Sequence, residues 1–191
     1  ARQQLGVANA DVVLAMLPGS RGSEIELMLG PFLKAAEIIQ ANFQAQNKSV
    51  KVVIPCINSA REEQVRRGLQ EAPQLDILIH KGQARLALIA CDAALVKSGT
   101  STLEAMLLKR PMVVSYRLGY WSHWIARLLV KTDYVAMPNI LSNKALVPEL
   151  LQDRAQPEGL AKALLGELDN AHGDAQYFQP FANMRKILED G

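Results

Sequence analysis

Short apolar runs alternate with amphipathic stretches along most of this 191-residue chain. Five of the runs are rich in β-branched residues and almost continuously apolar, which is typical of strands buried on both faces of a sheet. They span Val12–Leu17, Val50–Pro55, Leu75–His80, Ala93–Ser98 and Pro111–Tyr116. Strands that alternate with helices in this way predict an α/β fold built on a doubly wound parallel sheet.

The first amphipathic stretch is interrupted by Gly30 and Pro31. Proline is favourable in the first turn of a helix and unfavourable in its middle. We therefore expect a short turn over Ser23–Leu29, followed by a kink or by a new helix that begins at Pro31.

The strand pattern ends after Tyr134. Helices are expected in Val147–Asp153, in Pro157–Asn170 and in the tail from Asp174. The predicted organisation is one domain over residues 1–170 and a C-terminal helical tail over residues 171–191.

The amino-acid composition excludes several classes of protein. With 49% hydrophobic and 21% charged residues, the chain can bury one core and does not resemble a disordered protein. Its net charge of +2 is too small to indicate nucleic-acid binding. No apolar run approaches the ~20 residues of a membrane-spanning helix, and no signal peptide opens the chain.

The cysteines and histidines do not predict a metal site. Cys56 and Cys91 form neither a CxxC motif nor a Cys/His cluster, which favours reduced thiols in a cytoplasmic protein. His80, His123 and His172 do not lie at metal-ligand spacing. We expect no metal and no cofactor.

The loop after the first strand, LPGSRGSEIE, has the residues of an anion-binding turn. Gly19 permits a tight turn, and Gly22 lets a ligand approach the backbone. Ser23 and Glu26 have capping-box spacing, so a helix is expected to begin there, and its N–H groups together with Arg21 favour an anion. An ordinary strand-to-helix turn with a solvent-facing arginine would have the same spacing.

The loop after the fourth strand, KSGTSTLEAM, has a similar chemistry. A glycine among hydroxyl residues, Ser98–Thr102, leaves N–H groups available to phosphate at a helix start. Glu104 follows within about one helical turn, where a carboxylate can accept hydrogen bonds from ribose hydroxyls. The alternative is N-capping by Thr100 or Ser101, with Glu104 facing the helix dipole.

Both loops follow the carboxyl ends of predicted strands, and doubly wound folds bind their ligands beyond those ends. Two anion-favouring helix starts at one edge predict a site for a nucleotide diphosphate. Because the sequence has no Asp/His cluster beside them, the predicted site has no metal.

Four segments closely resemble the lipid-A-disaccharide synthase family: LPGSRGSEI, CDAALVKSGTSTLEAML, RPMVVSYR and LVKTDYVAMPNIL. The last of them, Leu129–Leu141, is the most specific, and the resemblance covers at least Val12–Leu165. It implies the GT-B glycosyltransferase fold, in which two Rossmann-like domains face a cleft. The chain is similar to the C-terminal half, which binds the nucleotide sugar.

The resemblance implies a glycosyltransferase of lipid A and lipopolysaccharide biosynthesis in Gram-negative bacteria. The donor is UDP-2,3-diacylglucosamine, and the acceptor is 2,3-diacylglucosamine 1-phosphate (lipid X). The products are the β-1′,6-linked disaccharide and UDP. Enzymes of this family invert the anomeric configuration, need no metal, and act as peripheral proteins at the cytoplasmic face of the inner membrane.

The acceptor-binding domain, with the catalytic base of the family, is expected to precede Ala1. Deprotonation of the acceptor hydroxyl needs a positioned base, and no residue of this chain matches that motif, so the catalytic base is left unassigned. This half alone is expected to bind UDP with little or no turnover.

The resemblance also assigns residues to the UDP-sugar site. They are Gly19, Ser20, Arg21, Ser98, Gly99, Thr100, Thr102, Glu104 and Asn139. The first three would grip the diphosphate, the threonine-rich loop would form the opposing wall, and the glutamate would take the ribose hydroxyls. Asn139 would reach the donor from its loop; the alternative is a turn residue after Pro138.

Both tryptophans lie in Gly119–Lys131, GYWSHWIARLLVK. An apolar helical face with Trp121 and Trp124 opposes a polar face with Arg127 and Lys131, the composition of a helix that lies on anionic lipid. A helix packed against the sheet or against the preceding domain explains the same pattern.

The tail is more apolar than an isolated tail requires, with Tyr177, Phe178, Phe181 and Met184. In GT-B proteins the last helix crosses back to the first domain, and in this family C-terminal helices exchange between subunits. We therefore expect either a homodimer or a tail packed on its own sheet.

Two other functions remain open from the sequence. Another UDP-sugar enzyme of the same fold, such as a muramyl-pathway transferase or a UDP-sugar 2-epimerase, should differ from SGTSTLEA in its phosphate loop. A non-catalytic nucleotide-binding module would bind UDP but ignore acylated donors.

Overall fold

The computed structural model describes residues 1–82, 84–117 and 134–190. Within these ranges the chain forms a six-stranded sheet in which all neighbouring strands are parallel. The strands are β1 (Val12–Leu17), β2 (Val50–Cys56), β3 (Ile77–Lys81), β4 (Ala93–Lys97), β5 (Met112–Tyr116) and β6 (Glu149–Leu151). Their spatial order is β3-β2-β1-β4-β5-β6, which confirms the predicted Rossmann-like, doubly wound sheet.

Helices connect the strands and cover both faces of the sheet. The described α-helices are α1 (Gly22–Gln44), α2 (Ser59–Gly68), α3 (Ala84–Ala90), α4 (Thr100–Leu107), α5 (Met137–Ser142), α6 (Pro157–Gly173) and α7 (Gln179–Asp190). Short 3₁₀ turns lie at Leu69–Glu71 and Gln152–Arg154.

The central strand β1 separates two hydrophobic cores. Its even-numbered residues, such as Leu14 and Met16, pack into one core with α1 and α6. Its odd-numbered residues, such as Val13 and Ala15, pack into the other core with α3 and α4. Since alternate side chains of a strand point to opposite faces, an uninterrupted apolar run is what a strand with two covered faces requires.

The expected break in the first helix was wrong, because α1 runs without interruption through Pro31. The preceding Gly30 has no Cβ to clash with the proline ring, so it keeps a helical backbone. The hydrogen bond that Pro31 cannot donate is outweighed by an apolar face that buries Met28, Phe32 and Ile39 completely.

The helix expected over Val147–Asp153 was also wrong. This segment instead contains β6, which pairs with β5 through Val114↔Glu149 and Ser115↔Leu150. A short apolar run can form either a helix or a strand. Here it forms a strand, because it pairs with the otherwise unpaired edge of β5.

The C-terminal tail packs on its own domain. Helix α7 contacts α4 and α5, and Phe181 and Met184 are buried in the second core. Tyr177 and Phe178 stack edge to face, with ring centroids 4.7 Å apart. Of the two arrangements expected for the tail, the structure shows a tail that packs on its own domain.

None of the helices in the described ranges has both the length and the apolarity that crossing a bilayer demands. The predicted interfacial helix over Gly119–Lys131, with Trp121, Trp124, Arg127 and Lys131, lies outside the described residues.

Candidate functional site

A cavity of about 810 Å³ opens at the carboxyl ends of β1, β2, β3 and β4. Strands β1 and β4 are neighbours in the sheet, with Leu17 opposite Val96, although other elements separate them in the chain. The loops that follow these two strands therefore face each other across the cavity. This is the point where the strand order reverses, and it is where doubly wound sheets bind their ligands.

The structure brings most of the predicted site residues to this cavity. Those that line it are Gly19, Ser20, Arg21, Ser98, Gly99, Thr100 and Glu104. Thr102 and Asn139 are not among the lining residues.

Gly19 is required by the shape of the first loop. Its φ of +133° lies in the region that side chains rarely adopt, and a Cβ there would come within 2.5 Å of the Cβ of Glu24. The close approach lets the carboxylate of Glu24 fold back over the turn. Its Oε2 accepts the N–H groups of Ser20 at 2.9 Å and Arg21 at 3.1 Å.

This carboxylate replaces the cap that the sequence suggested. Helix α1 begins at Gly22, with Arg21 as its N-cap residue, so Glu24 rather than Glu26 closes the first turn. Glu26 is exposed. The cap expected from Ser23 and Glu26 is therefore wrong by two positions, because the turn after the strand is shorter than the capping pattern implied.

Gly22 does not leave its backbone open to a ligand as we expected. A Cβ at this position would collide with the guanidinium of Arg61, which comes from α2. The carbonyl of Gly22 accepts a hydrogen bond from Nε2 of Gln64 at 2.8 Å. The glycine thus permits close packing of α2 against the start of α1.

The side chain of Arg21 extends into solvent at the mouth of the cavity. It is 82% exposed, and its contact with Glu24 is a long ion pair, 3.6 Å between NH1 and Oε1. A side chain with so few contacts is free to fold onto a ligand, and a planar guanidinium is suited to two phosphate oxygens at once.

Lys97 and Glu24 form an ion pair that sequence reasoning missed. Nζ of Lys97 lies 3.0 Å from Oε1 of Glu24, and both side chains are largely buried, at 15% and 11% exposure. The pair bridges the end of β4 and the first turn of α1. Lys97 directly precedes the predicted phosphate loop and Glu24 follows the first loop, but no local sequence pattern indicates that the two side chains meet.

The carboxyl group of Glu24 is held in its charged form. Burial raises its pKa, but the ammonium of Lys97 and the N–H groups of Arg21 and Ser20 outweigh burial, so the pKa lies below the usual 4.5. Glu24 is therefore an anion at neutral pH.

The second loop leads from β4 into α4. Helix α4 begins at Thr100 with Gly99 as its N-cap residue, and neither Thr100 nor Ser101 provides the cap that we considered. The first N–H groups of a helix have no intrahelical acceptor, so this end of α4 presents donors towards the cavity.

Thr102 supports this loop from the interior. It is completely buried, its hydroxyl donates to the carbonyl of Gly99 at 2.7 Å, and the same oxygen accepts the N–H of Met137 at 3.2 Å. The hydroxyl of Ser98 donates to the carbonyl of Val135 at 2.7 Å. The loop is thus tied to the first residue of α5 and to the chain just before it.

Asn139 is completely buried in α5. Its Nδ2 donates to the carbonyl of Val147 at 2.9 Å and to Oε1 of Glu149 at 2.8 Å, and its Oδ1 accepts the N–H of Val147 at 2.9 Å. The structure therefore gives Asn139 a supporting position behind the cavity wall, and not a position on it.

Residues at the end of β2 and after β2 and β3 complete the cavity, and the sequence did not single them out. They are Pro55, Ile57, Gly82, Ala84 and Arg85. Ile57 is 67% exposed, so this part of the wall is apolar and accessible. A large exposed aliphatic residue next to polar loops suits the flat face of a base or a sugar.

Within the described ranges, no three His, Cys, Asp or Glu side chains lie close enough together to hold a metal ion. The charges available to a bound anion in the cavity are those of arginine, lysine and the helix starts.

Comparison with known proteins supplies the family. The family model described as lipid-A-disaccharide synthetase matches residues 1–186. The chain belongs to the lipid-A-disaccharide synthetase family.

Curated relatives agree with this assignment. Lipid-A-disaccharide synthase of Klebsiella pneumoniae is 48% identical over 165 residues, which cover 86% of this chain and 42% of the relative. The synthase of an Enterobacter species is 43% identical over 189 residues, which cover 98% of this chain and 48% of the relative. The chain thus spans less than half the length of these relatives.

Solved structures with low sequence identity to this chain share its fold. A putative UDP-N-acetylglucosamine 2-epimerase from Listeria monocytogenes superposes with a TM-score of 0.60 at 18% identity, over 96% of this chain and 45% of that one. ADP-heptose LPS heptosyltransferase II of E. coli gives 0.59 at 13% identity, over 90% of this chain and 51% of that one. At these identities the likeness concerns the fold alone.

Proposed function

We propose that this chain is the donor-binding part of a lipid A glycosyltransferase. The complete enzyme would transfer 2,3-diacylglucosamine from UDP-2,3-diacylglucosamine to 2,3-diacylglucosamine 1-phosphate. The acceptor hydroxyl oxygen forms the new β-1′,6 bond to the anomeric carbon as the bond to UDP breaks. The family assignment supports the reaction, and the cavity at the ends of β1 and β4 supports the role of this part.

The observation that carries the proposal is the pair of loops on the two sides of one cavity. One presents the guanidinium of Arg21, and the other presents the start of α4. Positive charge and free N–H groups converge there, which is the chemistry that binds a diphosphate. A volume of about 810 Å³ is suited to a nucleoside diphosphate and part of a sugar.

The roles of the residues follow from their positions. Gly19 and Ser20 shape the loop that carries Arg21, while Ser98, Gly99 and Thr100 form the facing wall. Glu104 lines the cavity from α4, where its carboxylate can accept hydrogen bonds from the ribose hydroxyls. Thr102 and Asn139 hold the wall in place.

This site acts on the leaving group. As UDP departs, negative charge grows on the diphosphate oxygen, and preorganised donors that meet this charge lower the barrier by several kcal/mol. No residue of this chain is assigned as the base that takes the proton from the acceptor hydroxyl, and we infer that this base is supplied by the part of the relatives' length that the chain does not cover. The chain alone is thus expected to bind UDP without appreciable turnover.

Calorimetric titration of the chain with UDP, UDP-N-acetylglucosamine and the diacylated donor tests the proposal. We expect binding of UDP without added metal and tighter binding of the acylated donor. An enzyme for another UDP-sugar would prefer UDP-N-acetylglucosamine, and a nucleotide-binding module would not distinguish the acyl chains.

Arg21→Ala is the matching variant. It should lower UDP affinity by a factor of ten or more, since it removes a charged contact with the diphosphate. Arg185→Ala removes an equally charged but remote side chain, which pairs with Glu189 on α7, and should leave UDP affinity unchanged. If Arg21→Ala changes affinity less than twofold, the assignment of the first loop is wrong.

We also propose that the complete enzyme works on the cytoplasmic face of the bacterial inner membrane as a peripheral protein and that it forms a homodimer. The acylated substrates reside in the membrane, and Gly119–Lys131 has the composition of a lipid-binding helix. Sedimentation with anionic and neutral vesicles tests the first point: Trp121→Ala and Trp124→Ala should reduce binding to the anionic vesicles. Light scattering tests the second.

A further inference from the structure

Lys97 lies where its side chain can contact a ligand in the cavity, in addition to its ion pair with Glu24. It is the last residue of β4, directly before the loop that forms one wall of the cavity, and it lines the cavity itself. Its side chain is only 15% exposed, so the ammonium has a fixed position.

The contacts that the ammonium makes with the described residues leave one of its three donors unused. An ammonium has three N–H donors. One is directed to Oε1 of Glu24 at 3.0 Å, and the ring of Tyr116 lies 4.5 Å from Nζ, where it meets a second side of the cation. Within the described part of the chain, no other acceptor is bonded to Nζ of Lys97.

The two carboxylate oxygens of Glu24 make different contacts. Oε2 accepts the N–H groups of Ser20 and Arg21 and so fixes the first loop. Oε1 lies between the two cations, 3.0 Å from Nζ of Lys97 and 3.6 Å from NH1 of Arg21. The three side chains carry a net charge of +1, and the carboxylate draws the two cations to one end of the cavity.

We propose that Lys97 is a second diphosphate-binding cation, at the same end of the cavity as Arg21, and that Glu24 is the residue that positions it. This inference rests on the proposed function, because it assigns a further contact to the same diphosphate. Arg21 approaches from the solvent side, whereas Lys97 is fixed at the end of the sheet. A diphosphate at this end of the cavity meets one mobile and one preorganised charge.

The experiment compares a ligand that has the diphosphate with one that lacks it. UDP and uridine are titrated by NMR into the wild-type chain, Lys97→Met, Lys97→Arg and Lys51→Met. Lys51 lies on β2 and pairs with Asp76, so its replacement makes the same change of net charge away from the cavity.

We expect Lys97→Met to weaken UDP binding at least tenfold and to leave uridine binding within twofold of the wild type. Lys97→Arg should recover most of the UDP affinity, and Lys51→Met should match the wild type for both ligands. A purely structural role would weaken uridine and UDP together. Unchanged uridine binding also shows that the variant is folded; if Lys97→Met does not fold, Lys97→Gln is measured in its place.

The outcomes separate this inference from the proposed function. If the wild type prefers UDP to uridine and Lys97→Met keeps that preference, the inference is overturned while the diphosphate site stands. If the wild type binds UDP no better than uridine, the proposed site itself is wrong, and the role of Lys97 falls with it.

Discussion

The side-chain amide of Asn139 and the carboxylate of Glu149 meet at 2.8 Å in the interior of the domain. The same carboxylate accepts the N–H groups of Val135 and Ala136. Because the carbonyl of Val135 receives the hydroxyl of Ser98, the network links the start of β6 to the wall of the cavity. One half-buried glutamate therefore orders a segment on which the phosphate loop rests.

Asn139→Ala should destabilise the domain by about 2–4 kcal/mol, because it leaves both backbone groups of Val147 without their buried partner. Asn139→Asp should be worse at neutral pH, since it places a second carboxylate beside Glu149. Urea unfolding followed by circular dichroism measures both effects. Asn183→Ala, at an exposed position of α7, should change stability by less than about 0.5 kcal/mol.

The same variants decide between two roles for Asn139. If it supports the wall, the folded Asn139→Ala protein should keep more of its UDP affinity than Arg21→Ala does. A variant of normal stability that no longer binds UDP would instead favour the direct donor contact that the family resemblance implies.

Gly19→Ala should cost about 2 kcal/mol or more of stability and abolish UDP binding. The φ of +133° is strained for alanine, and the new Cβ would displace Glu24 from the turn. Gly166→Ala is the matched control, because that glycine lies within α6 with open space around it. There the change should stabilise the domain by about 0.5–1 kcal/mol. Equal thermal unfolding of the two variants would contradict the strain at Gly19.

The ionisation of Glu24 should make part of the stability pH-dependent. Its pKa is lower in the folded chain than the usual 4.5, so its stabilising contribution is fully present above that value and is lost as the pH falls through the lower, folded pKa. Glu24→Gln should therefore cost about 1–3 kcal/mol at pH 7 and progressively less below pH 4. Glu26→Gln, at an exposed position of α1, is the matched control and should change the free energy of unfolding at pH 7 by less than about 0.5 kcal/mol. A constant penalty for Glu24→Gln would argue against the ionic pair with Lys97.

Both cysteines should be inert in the folded protein. Burial raises the pKa of Cys56 to about 11 and that of Cys91 to about 12, so almost no thiolate is present at pH 8. Iodoacetamide should label neither thiol in buffer and both in urea, as mass spectrometry would show. Rapid labelling of Cys56 in buffer would mean that the end of β2 opens readily.

The sheet was predictable because its strands are apolar on both faces. In the case of β1, every residue of Val12–Leu17 is buried, and the predicted limits match the observed ones. The short edge strand β6 was not predictable, because three residues carry too little periodicity and its pairing depends on β5, which is remote in the sequence.

The same distinction applies to the site. Loop composition placed Arg21 and Ser98–Ser101 at the cavity, because glycine and hydroxyl residues at strand ends mark both loops. The pair of Glu24 and Lys97 joins two loops through the pairing of β1 with β4, and local patterns contain no information about that contact. The orientation of Thr102 and Asn139, towards a ligand or towards the interior, depends on tertiary packing and could not be predicted from local patterns either.

The pairing of Leu17 with Val96 has a consequence for how the domain assembles. The first loop precedes β4 in the chain, and it acquires its counterpart only after β4 has docked beside β1; such contacts between distant segments form slowly. Nucleotide affinity should consequently appear late in refolding, together with closure of the central sheet. A bound nucleotide would then stabilise the whole domain cooperatively, by mass action on its folded state.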